Sequence, residues 1–541
     1  MTQQNRFRSS GCVPRRRADD VMLPLVQGPA WSRRGFLGAA LATGGLAACG
    51  GGSSEDEHRS PSGQPRPGLD AALARLPDRV RTLMQTSGVP GVSVCVVVDG
   101  RRVYSEGFGV RALGSPGRVD ADTVFQLASV SKAVGATVVA HQVGRGQVRW
   151  DTRMQTLLPD FALRDPAVTE ALTVGDLYAH RSGLPDHAGD LLEDLGYDQA
   201  ALFRRLRYLP LAPFRQHYAY TNVGLTAAAE GVARRAGQTW AELSREALYA
   251  PLGMSRTTSA HAQFLTWENR SVGHVLDANG RWEVSALQRD PDVQSAAGGV
   301  SASVNDMARW LQLILARGRF EGRQLVAADA LDPALSPQMR TNPDDPDNFY
   351  GFGFLVGPSG TGHRMLSHSG AFSLGAATAF FMVPALDVGI VVLTNGLPVG
   401  LPEAVGREFI DLVENGRVTR DWWSLYSAAM VSLNAPVGSL ADQTPPQPAV
   451  PPQPLAAYVG TYDNDYHGPL TVTLDAGALV MTLGPRPQRL PLRHWDAETF
   501  VFVPAGESAP PGSLSRADFD ASGVTLEFFN EDGVGRFLRR A

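Results

Sequence analysis

A proline-rich segment near residue 450 divides this chain and limits what can form there. Residues 444–454 read Thr-Pro-Pro-Gln-Pro-Ala-Val-Pro-Pro-Gln-Pro. Proline fixes φ at about −65° and has no backbone N–H, so this run cannot continue a helix or a central strand. It favours an extended, semi-rigid linker. We therefore predict a connecting segment over residues 416–454, between one domain over 69–415 and a smaller one over 455–541.

The segment before the linker mixes strand-like and helix-like patterns. Val92–Val98 is rich in β-branched residues, and Asp99-Gly100 supplies a hairpin turn before a second strand over Arg102–Gly107. Ala377–Val383 and Gly389–Thr394 are apolar runs that we expect to pair as neighbouring strands. Because helical patterns alternate with these strands, the first domain is predicted to be α/β or α+β.

The segment after the linker has a different character. Short apolar stretches are separated there by Gly, Asp and Pro, a pattern typical of a small all-β domain. We recognise no group of catalytic residues among them. The predicted strands are Leu470–Leu474, Ala478–Leu483, Thr499–Val503 and Val524–Phe529.

The N-terminal segment has the order of an export signal. Arg33-Arg34 precedes an apolar run, Phe36–Ala48, that is too short to span a bilayer and is typical of a twin-arginine signal. The run ends in Leu-Ala-Ala before Cys49, which resembles a lipoprotein box. We expect a signal over residues 1–49, a flexible tether over 50–68, and a periplasmic or cell-envelope protein held to the membrane by a lipid on Cys49. The alternative is that Cys49 follows an ordinary cleavage site by chance.

The basic residues are almost all arginines. Lys132 is the only lysine among 49 Lys and Arg residues, and the formal net charge is −5. A negative chain lacks the electrostatic footprint of a nucleic-acid-binding protein, so we expect no nucleic-acid partner. Arg cannot lose its proton in a protein, whereas Lys can. Lys132 is therefore a candidate for proton chemistry.

Ser129 precedes Lys132 by three positions, at the start of a helical pattern over residues 133–142. This spacing puts both side chains on one helix face. Free N–H groups at a helix start stabilise developing negative charge, and a buried lysine of lowered pKa can take the proton of a serine. We predict that Ser129 is a nucleophile and Lys132 its base. The alternative is that Ser129 only caps the helix.

Two later triplets extend this pattern, Tyr220-Thr221-Asn222 and His368-Ser369-Gly370. Together with Ser-x-x-Lys they resemble the serine β-lactamase and penicillin-binding-protein superfamily, particularly the class C β-lactamase-like esterases and peptidases. The resemblance covers about residues 70–415 and implies a transpeptidase-like domain with an antiparallel sheet flanked by helices. The tail resembles a small β domain that is often appended to such hydrolases.

The resemblance also implies roles for residues of the triplets. Tyr220 would share the proton of the serine, its phenol pKa being lowered by the neighbouring cation. Asn222 would orient the acyl side of the substrate. His368 and Ser369 would face the cleft and bind substrate, and Gly370 would leave room for it.

The oxyanion hole implied by the resemblance consists of the backbone N–H groups of Ser129 and Ala371. No cofactor is implied. His180 is predicted to be a hydrogen-bonded loop histidine, because no Cys or carboxylate stands beside it at metal-ligand spacing, and no metal site is predicted.

His368 occupies the position where β-lactamases and transpeptidases have a lysine. A histidine that is close to neutral at pH 7 holds a penicillin-type carboxylate poorly. We therefore expect an exported serine hydrolase that is esterase-like and acts on a small ester or peptide substrate. The alternatives are a D-amino-acid peptidase or carboxypeptidase acting on peptidoglycan fragments, a weak β-lactamase, and a non-catalytic envelope lipoprotein. The sequence leaves the oligomeric state open.

Overall fold

An eight-stranded antiparallel sheet forms the centre of the first domain in the computed structural model, which describes residues 66–540. The sheet order is β3-β4-β5-β6-β7-β8-β1-β2. Every residue of β1, β7 and β8 is buried, which explains their continuous apolar runs. The strands are β1 (Gly91–Val98), β2 (Arg101–Gly109), β3 (Met339–Arg340), β4 (Phe349–Tyr350), β5 (Leu355–Pro358), β6 (Arg364–Phe372), β7 (Ala376–Val383) and β8 (Val388–Thr394).

Helices cover both faces of this sheet. On one face, Val80 of the first helix and Phe409 of the fifth pack with Val94 and Ile390. On the other face, Val391 belongs to a second core that includes residues of the helices over 131–144, 222–235 and 304–315. The predicted antiparallel sheet flanked by helices is confirmed, as is the pairing of β7 with β8. The longer helices are α1 (Leu69–Ser87), α2 (Ser131–Gly144), α3 (Asn222–Arg235), α4 (Val304–Leu315), α5 (Leu401–Asn415) and α6 (Trp422–Asn434).

Short elements connect these parts. Small antiparallel strand sets join Phe125–Gln126 with Ser301–Ala302 and Thr257–Thr258, His274–Leu276 with Trp282–Val284, and Arg319–Phe320 with Arg323–Gln324. Short helical segments comprise Ala128–Val130, Met154–Leu157, Pro166–Ala171, Val174–Tyr178, Asp190–Asp194, Gln199–Arg205, Leu206–Tyr208, Trp240–Ser244, Arg245–Tyr249, Ala250–Leu252, His261–Thr266, Asp292–Gln294, Ser295–Gly298, Ala328–Leu331, Pro384–Leu386, Leu455–Tyr458 and Glu527–Phe529.

The second domain is a closed barrel of eight antiparallel strands. The predicted all-β class is confirmed, although the sequence patterns indicated only half of these strands. Between α6 and residue 455 the described chain contains no helix or strand. The barrel strands are β9 (Gly460–Asp463), β10 (Leu470–Asp475), β11 (Ala478–Leu483), β12 (Gln488–Asp496), β13 (Thr499–Phe502), β14 (Ser515–Asp520), β15 (Gly523–Leu526) and β16 (Arg536–Arg539).

The barrel packs directly against the first domain. The Tyr466 hydroxyl accepts a hydrogen bond of 2.9 Å from the Gly189 N–H. Gln488 Nε2 donates one of 2.7 Å to the carbonyl of Asp194. Because these contacts hold the segment around residues 189–194, the barrel is in a position to shape any site that this segment borders.

The predicted signal over 1–49, Cys49 and most of the predicted tether lie outside the described residues. Within residues 66–540, none of the helices has an apolar stretch of the length needed to cross a bilayer.

Candidate active site

The Ser129 side chain lies at a short helical turn, Ala128–Val130, that leads directly into α2. Ala128 has a φ of +46°, a conformation that L residues rarely adopt. This turn presents Ser129 to the Lys132 side chain, which comes from the first turn of α2. Lys132 Nζ lies 3.0 Å from Ser129 Oγ, so the structure brings the predicted nucleophile and base into hydrogen-bond contact.

Lys132 is completely buried, and its ammonium group has three acceptors. Besides Ser129, Nζ donates to Asn222 Oδ1 at 2.6 Å and to the carbonyl of Ala297 at 3.0 Å. Burial lowers the pKa of Lys132 to about 7, although the Asp190 carboxylate acts to raise it. A lysine with this pKa exists partly as the neutral amine near pH 7, the form that can accept a proton.

Tyr220 lies on the other side of the serine. Its hydroxyl lies beside the Ser129 side chain, and Lys132 Nζ lies 4.5 Å from the centre of its ring. We expected the cation to lower the phenol pKa, and this expectation is wrong because burial raises the pKa of Tyr220 well above its ordinary value. The resting phenol is therefore protonated and can donate a proton.

The buried rings of His180, Tyr350 and His368 surround Tyr220, and the half-buried Tyr218 packs against His180 and Tyr350. The ring of His180 lies 4.6 Å from that of Tyr220, between ring centres. The Nδ1 atom of His180 accepts a hydrogen bond of 3.1 Å from the N–H of Thr221, the residue that follows Tyr220. His180 is thus a hydrogen-bonded loop histidine that fixes the tyrosine loop.

His368 belongs to this cluster and does not line the cavity above Ser129. Its Nε2 accepts a hydrogen bond of 2.9 Å from the Tyr350 hydroxyl, and its Nδ1 donates to the Ser369 carbonyl at 2.6 Å. Burial lowers the pKa of His368 to about 3, so the ring is neutral at pH 7, as expected. The prediction that His368 faces the cleft is wrong, because its ring is enclosed by the aromatic side chains behind Tyr220.

Ser369 lies on the opposite face of the sheet. Ser369 pairs with Ala379 of β7, whose side chain belongs to the core under α1 and α5. The Ser369 hydroxyl lies beside the Glu403 carboxyl of α5. Successive side chains of a strand alternate between faces, so β6 cannot direct both His368 and Ser369 towards Ser129. The prediction that Ser369 faces the cleft is therefore wrong.

Gly370 lies directly beneath the backbone of the nucleophile. A Cβ atom at this position would lie 2.3 Å from the Leu127 carbonyl oxygen and 2.8 Å from the Ser129 nitrogen. The space that the glycine leaves is thus occupied by the turn that carries Ser129, and not by substrate as we expected. This close approach brings the next residue, Ala371, to the cavity that Ser129 lines.

Asn222 links Lys132 to two further residues that the sequence did not indicate, Asp190 and His187. While Oδ1 accepts from Lys132, the amide Nδ2 donates to Asp190 Oδ2 at 2.8 Å. The same carboxylate oxygen lies 2.7 Å from His187 Nδ1. The predicted role of Asn222 towards the acyl side of a substrate stays a prediction, but its carbonyl oxygen already holds the lysine.

A cavity of about 430 Å³ opens above Ser129 and is lined by both domains. Tyr220, Asn222 and Ala371 line its floor region, and barrel residues complete its wall. Glu507, on the loop between β13 and β14, accepts a hydrogen bond from the N–H of Ser373. No sequence signal indicates this contribution, because an acidic residue in a polar loop is ordinarily solvated and only the docking of the barrel buries it.

No group of three or more His, Cys, Asp or Glu side chains within residues 66–540 is arranged to hold a metal ion. The site therefore offers an alcohol, an amine, a phenol and backbone N–H groups as its reactive components. These groups are suited to acyl transfer.

Family comparisons agree with this geometry. Residues 76–415 match a family model described as Beta-lactamase, and residues 444–537 match one described as a domain of unknown function, DUF3471. The chain is 28% identical over 432 residues to an unguisins hydrolase of Aspergillus violaceofuscus, covering 72% of this chain and 74% of the relative. It is 29% identical over 309 residues to a D-aminopeptidase of Brucella anthropi, covering 54% of each protein.

Two solved structures share the fold. One is an octameric penicillin-binding protein homologue from Pyrococcus abyssi, with a TM-score of 0.57 and 19% identity over 86% of this chain and 100% of that one. The other is a class C β-lactamase from Rhodobacter sphaeroides, with a TM-score of 0.51 and 20% identity over 63% of this chain and 98% of that one.

Proposed function

Because the chain belongs to the beta-lactamase family and is a serine hydrolase of that family, we propose that it cleaves ester or amide bonds of small substrates through an acyl-enzyme on Ser129. One observation carries this proposal. Ser129 Oγ lies 3.0 Å from Nζ of a buried lysine whose pKa is about 7. An amine with a pKa near the working pH is suited to general-base catalysis.

In the acylation step, Ser129 Oγ forms a bond to the substrate carbonyl carbon while its proton passes to Lys132 Nζ. The carbonyl carbon becomes tetrahedral and its oxygen becomes an oxyanion. When the bond to the leaving group breaks, the protonated phenol of Tyr220 supplies a proton to that group and recovers one from Lys132. Water then attacks the acyl-enzyme, and the reverse proton transfers release the acid and restore Ser129.

The backbone N–H groups of Ser129 and Ala371 stabilise the oxyanion in this scheme. The Ser369 carbonyl accepts from the His368 ring, so it points to the open edge of β6. Backbone groups two residues apart on a strand point in the same direction, which directs the N–H of Ala371 to the same edge. Removal of one such donor typically costs about 2.7–4 kcal/mol of transition-state stabilisation.

We propose substrates that lack a carboxylate at the reacting centre, and an esterase-like activity. A neutral, enclosed His368 provides no positive charge where a penicillin-type carboxylate would be held. A peptidase that acts on D-amino-acid amides is the second candidate, supported by relatives named D-aminopeptidase. The non-catalytic alternative has lost its support, since the family and its named relatives are hydrolytic enzymes.

Export to the cell envelope also remains a proposal. It rests on the twin arginines at 33–34, the apolar run after them and the cysteine at its end. Metabolic labelling with a palmitate analogue, followed by membrane fractionation of wild type and Cys49→Ala, tests it. The proposal requires label and membrane association that both disappear in Cys49→Ala.

The hydrolase proposal is tested with p-nitrophenyl acetate and with a fluorophosphonate probe that reacts with activated serines. Wild type should hydrolyse the ester and incorporate the probe at Ser129, and Ser129→Ala should do neither. If Ser129→Ala hydrolyses the ester as well as wild type does, or if the probe reacts at another residue, Ser129 is not the nucleophile.

A further inference from the structure

The cavity above Ser129 is lined by an excess of carboxylates. Arg289 is the only Arg or Lys among its lining residues in the described chain. The acidic residues come from two places, the short helix Asp190–Asp194 of the catalytic domain and the segments that connect strands of the barrel. They are Asp190, Glu193, Asp194, Glu507, Glu527 and Glu531.

Glu193 has an oxygen available for a ligand. Its side chain is only 8% exposed, and Oε2 is occupied by Arg289 at 2.6 Å and by the Gln294 amide. Oε1 is buried and has no hydrogen-bond partner among the described residues. Oε2 of Glu507 is likewise buried and has no hydrogen-bond partner among the described residues. Buried carboxylate oxygens are ordinarily hydrogen-bonded, so these two atoms lack donors that a ligand can supply.

Arg289 is largely engaged by protein groups, although its buried Nε has no hydrogen-bond partner among the described residues. Besides its bond to Glu193, its Nη1 donates to the Asp290 carbonyl at 2.8 Å. Its guanidinium also lies over the Phe372 ring, 5.2 Å from the ring centre. A substrate carboxylate would meet an arginine that is already paired with Glu193, and the other carboxylates of the lining would repel it.

The carboxylates are crowded as well as buried. Burial raises the pKa values of Glu193 and Glu507 to about 7, and the neighbouring Asp194 contributes to both shifts. A positively charged ligand relieves this cost because it favours the ionised carboxylates. The absence of any metal-ligating group within residues 66–540 favours an organic cation over a metal ion.

The acidic helix also lies on a definite side of the serine. Asp190 accepts the amide N–H of Asn222, whose amide oxygen accepts from Lys132 beside the nucleophile. A positive charge bound by this helix would therefore lie on the Asn222 side of Ser129.

We propose that the cavity binds the free ammonium group of the substrate's acyl part through Glu193 and Glu507, so that the preferred substrates are amides or esters of amino acids with an unblocked amino group. This inference rests on the proposed hydrolase function, but it concerns binding and is testable without turnover. The barrel then contributes directly to specificity, because Glu507 belongs to it.

Calorimetric titration of the Ser129→Ala protein at neutral pH with alaninamide and with N-acetylalaninamide, using both enantiomers, measures ammonium recognition without hydrolysis. We expect the better enantiomer of alaninamide to bind at least about tenfold more tightly than its acetylated form, as one charged hydrogen bond in a buried site provides. Adding Glu193→Gln should remove most of that difference. Glu170→Gln should preserve it, since the Glu170 side chain is 74% exposed.

Equal binding of the amine and its acetylated form, binding of neither, or an unchanged preference in both Glu193→Gln and Glu507→Gln would overturn the inference. Thermal melting shows whether Glu193→Gln is folded. If it is not, Glu507→Gln provides the test in its place. Hydrolysis of p-nitrophenyl acetate by wild type is measured in parallel. If ester turnover persists without ammonium preference, the hydrolase proposal stands and this inference fails.

Discussion

Asn222 Oδ1 accepts a hydrogen bond of 2.6 Å from Lys132 Nζ, and the amide of the same Asn222 side chain donates to Asp190. The asparagine thereby connects the buried amine beside Ser129 to a carboxylate at the cavity wall. Lys132 experiences two opposing influences, burial that disfavours its charge and the carboxylate that favours it. The balance between them sets the pH at which the lysine can act as a base.

The rate should rise with pH through neutrality. Because the pKa of Lys132 is about 7, the ammonium form dominates below that value and cannot accept the serine proton. We expect kcat/KM for p-nitrophenyl acetate, a neutral ester, to increase with pH to a plateau, with the acid limb near pH 7. A profile that is flat from acid to neutral pH, or that falls on this limb, would show that the lysine is not titrating as described.

Asp190→Asn should move that acid limb to lower pH. The Asp190 carboxylate raises the pKa of Lys132, so removing its charge lets burial lower the lysine pKa further. The same pH profile of ester hydrolysis measures the shift. Asp151→Asn is a matched control, since that side chain is 65% exposed, and its profile should coincide with wild type. A shift of the limb to higher pH in Asp190→Asn contradicts the electrostatic relationship.

Gly370→Ala should reduce activity strongly and destabilise the domain. The added Cβ would lie 2.3 Å from the Leu127 carbonyl oxygen and 2.8 Å from the Ser129 nitrogen, and backbone atoms cannot move aside easily. Displacing an oxyanion donor costs about 10²- to 10³-fold in kcat. Overpacking of this kind typically costs about 1–3 kcal/mol of unfolding free energy. Kinetics and thermal melts measure the two effects.

Gly360→Ala is the control for that substitution. Its Cβ would have its nearest neighbour at 3.4 Å, an ordinary contact, so both activity and melting temperature should remain close to wild type. Normal turnover in Gly370→Ala would mean that catalysis does not depend on the close approach of β6 to the backbone of Ser129.

Several features were predictable because they depend on local patterns. The spacing of Ser129 and Lys132 implied one helix face, and they do meet at the start of α2. Runs of β-branched residues identified strands of the central sheet, because a strand buried on both faces must be apolar throughout. The antiparallel sheet flanked by helices and the all-β tail were likewise confirmed.

Other features depend on tertiary packing and were missed or wrong. A triplet such as His368-Ser369-Gly370 does not show which side chain faces which side of a sheet, and Ser369 turned out to point to α5. The elevated pKa of Tyr220 follows from the rings that bury it, which come from distant parts of the chain. Glu193 and Glu507 line one cavity only because the barrel docks on the first domain.

The role of Lys132 as proton acceptor is tested most directly by Lys132→Arg. Arginine keeps the positive charge but cannot give up its proton, so kcat/KM for p-nitrophenyl acetate should fall by about 10²- to 10⁴-fold. Thermal melting establishes that the variant is folded. A folded Lys132→Arg enzyme with near wild-type kcat/KM would contradict the account, because a permanently protonated side chain would then be sufficient for catalysis.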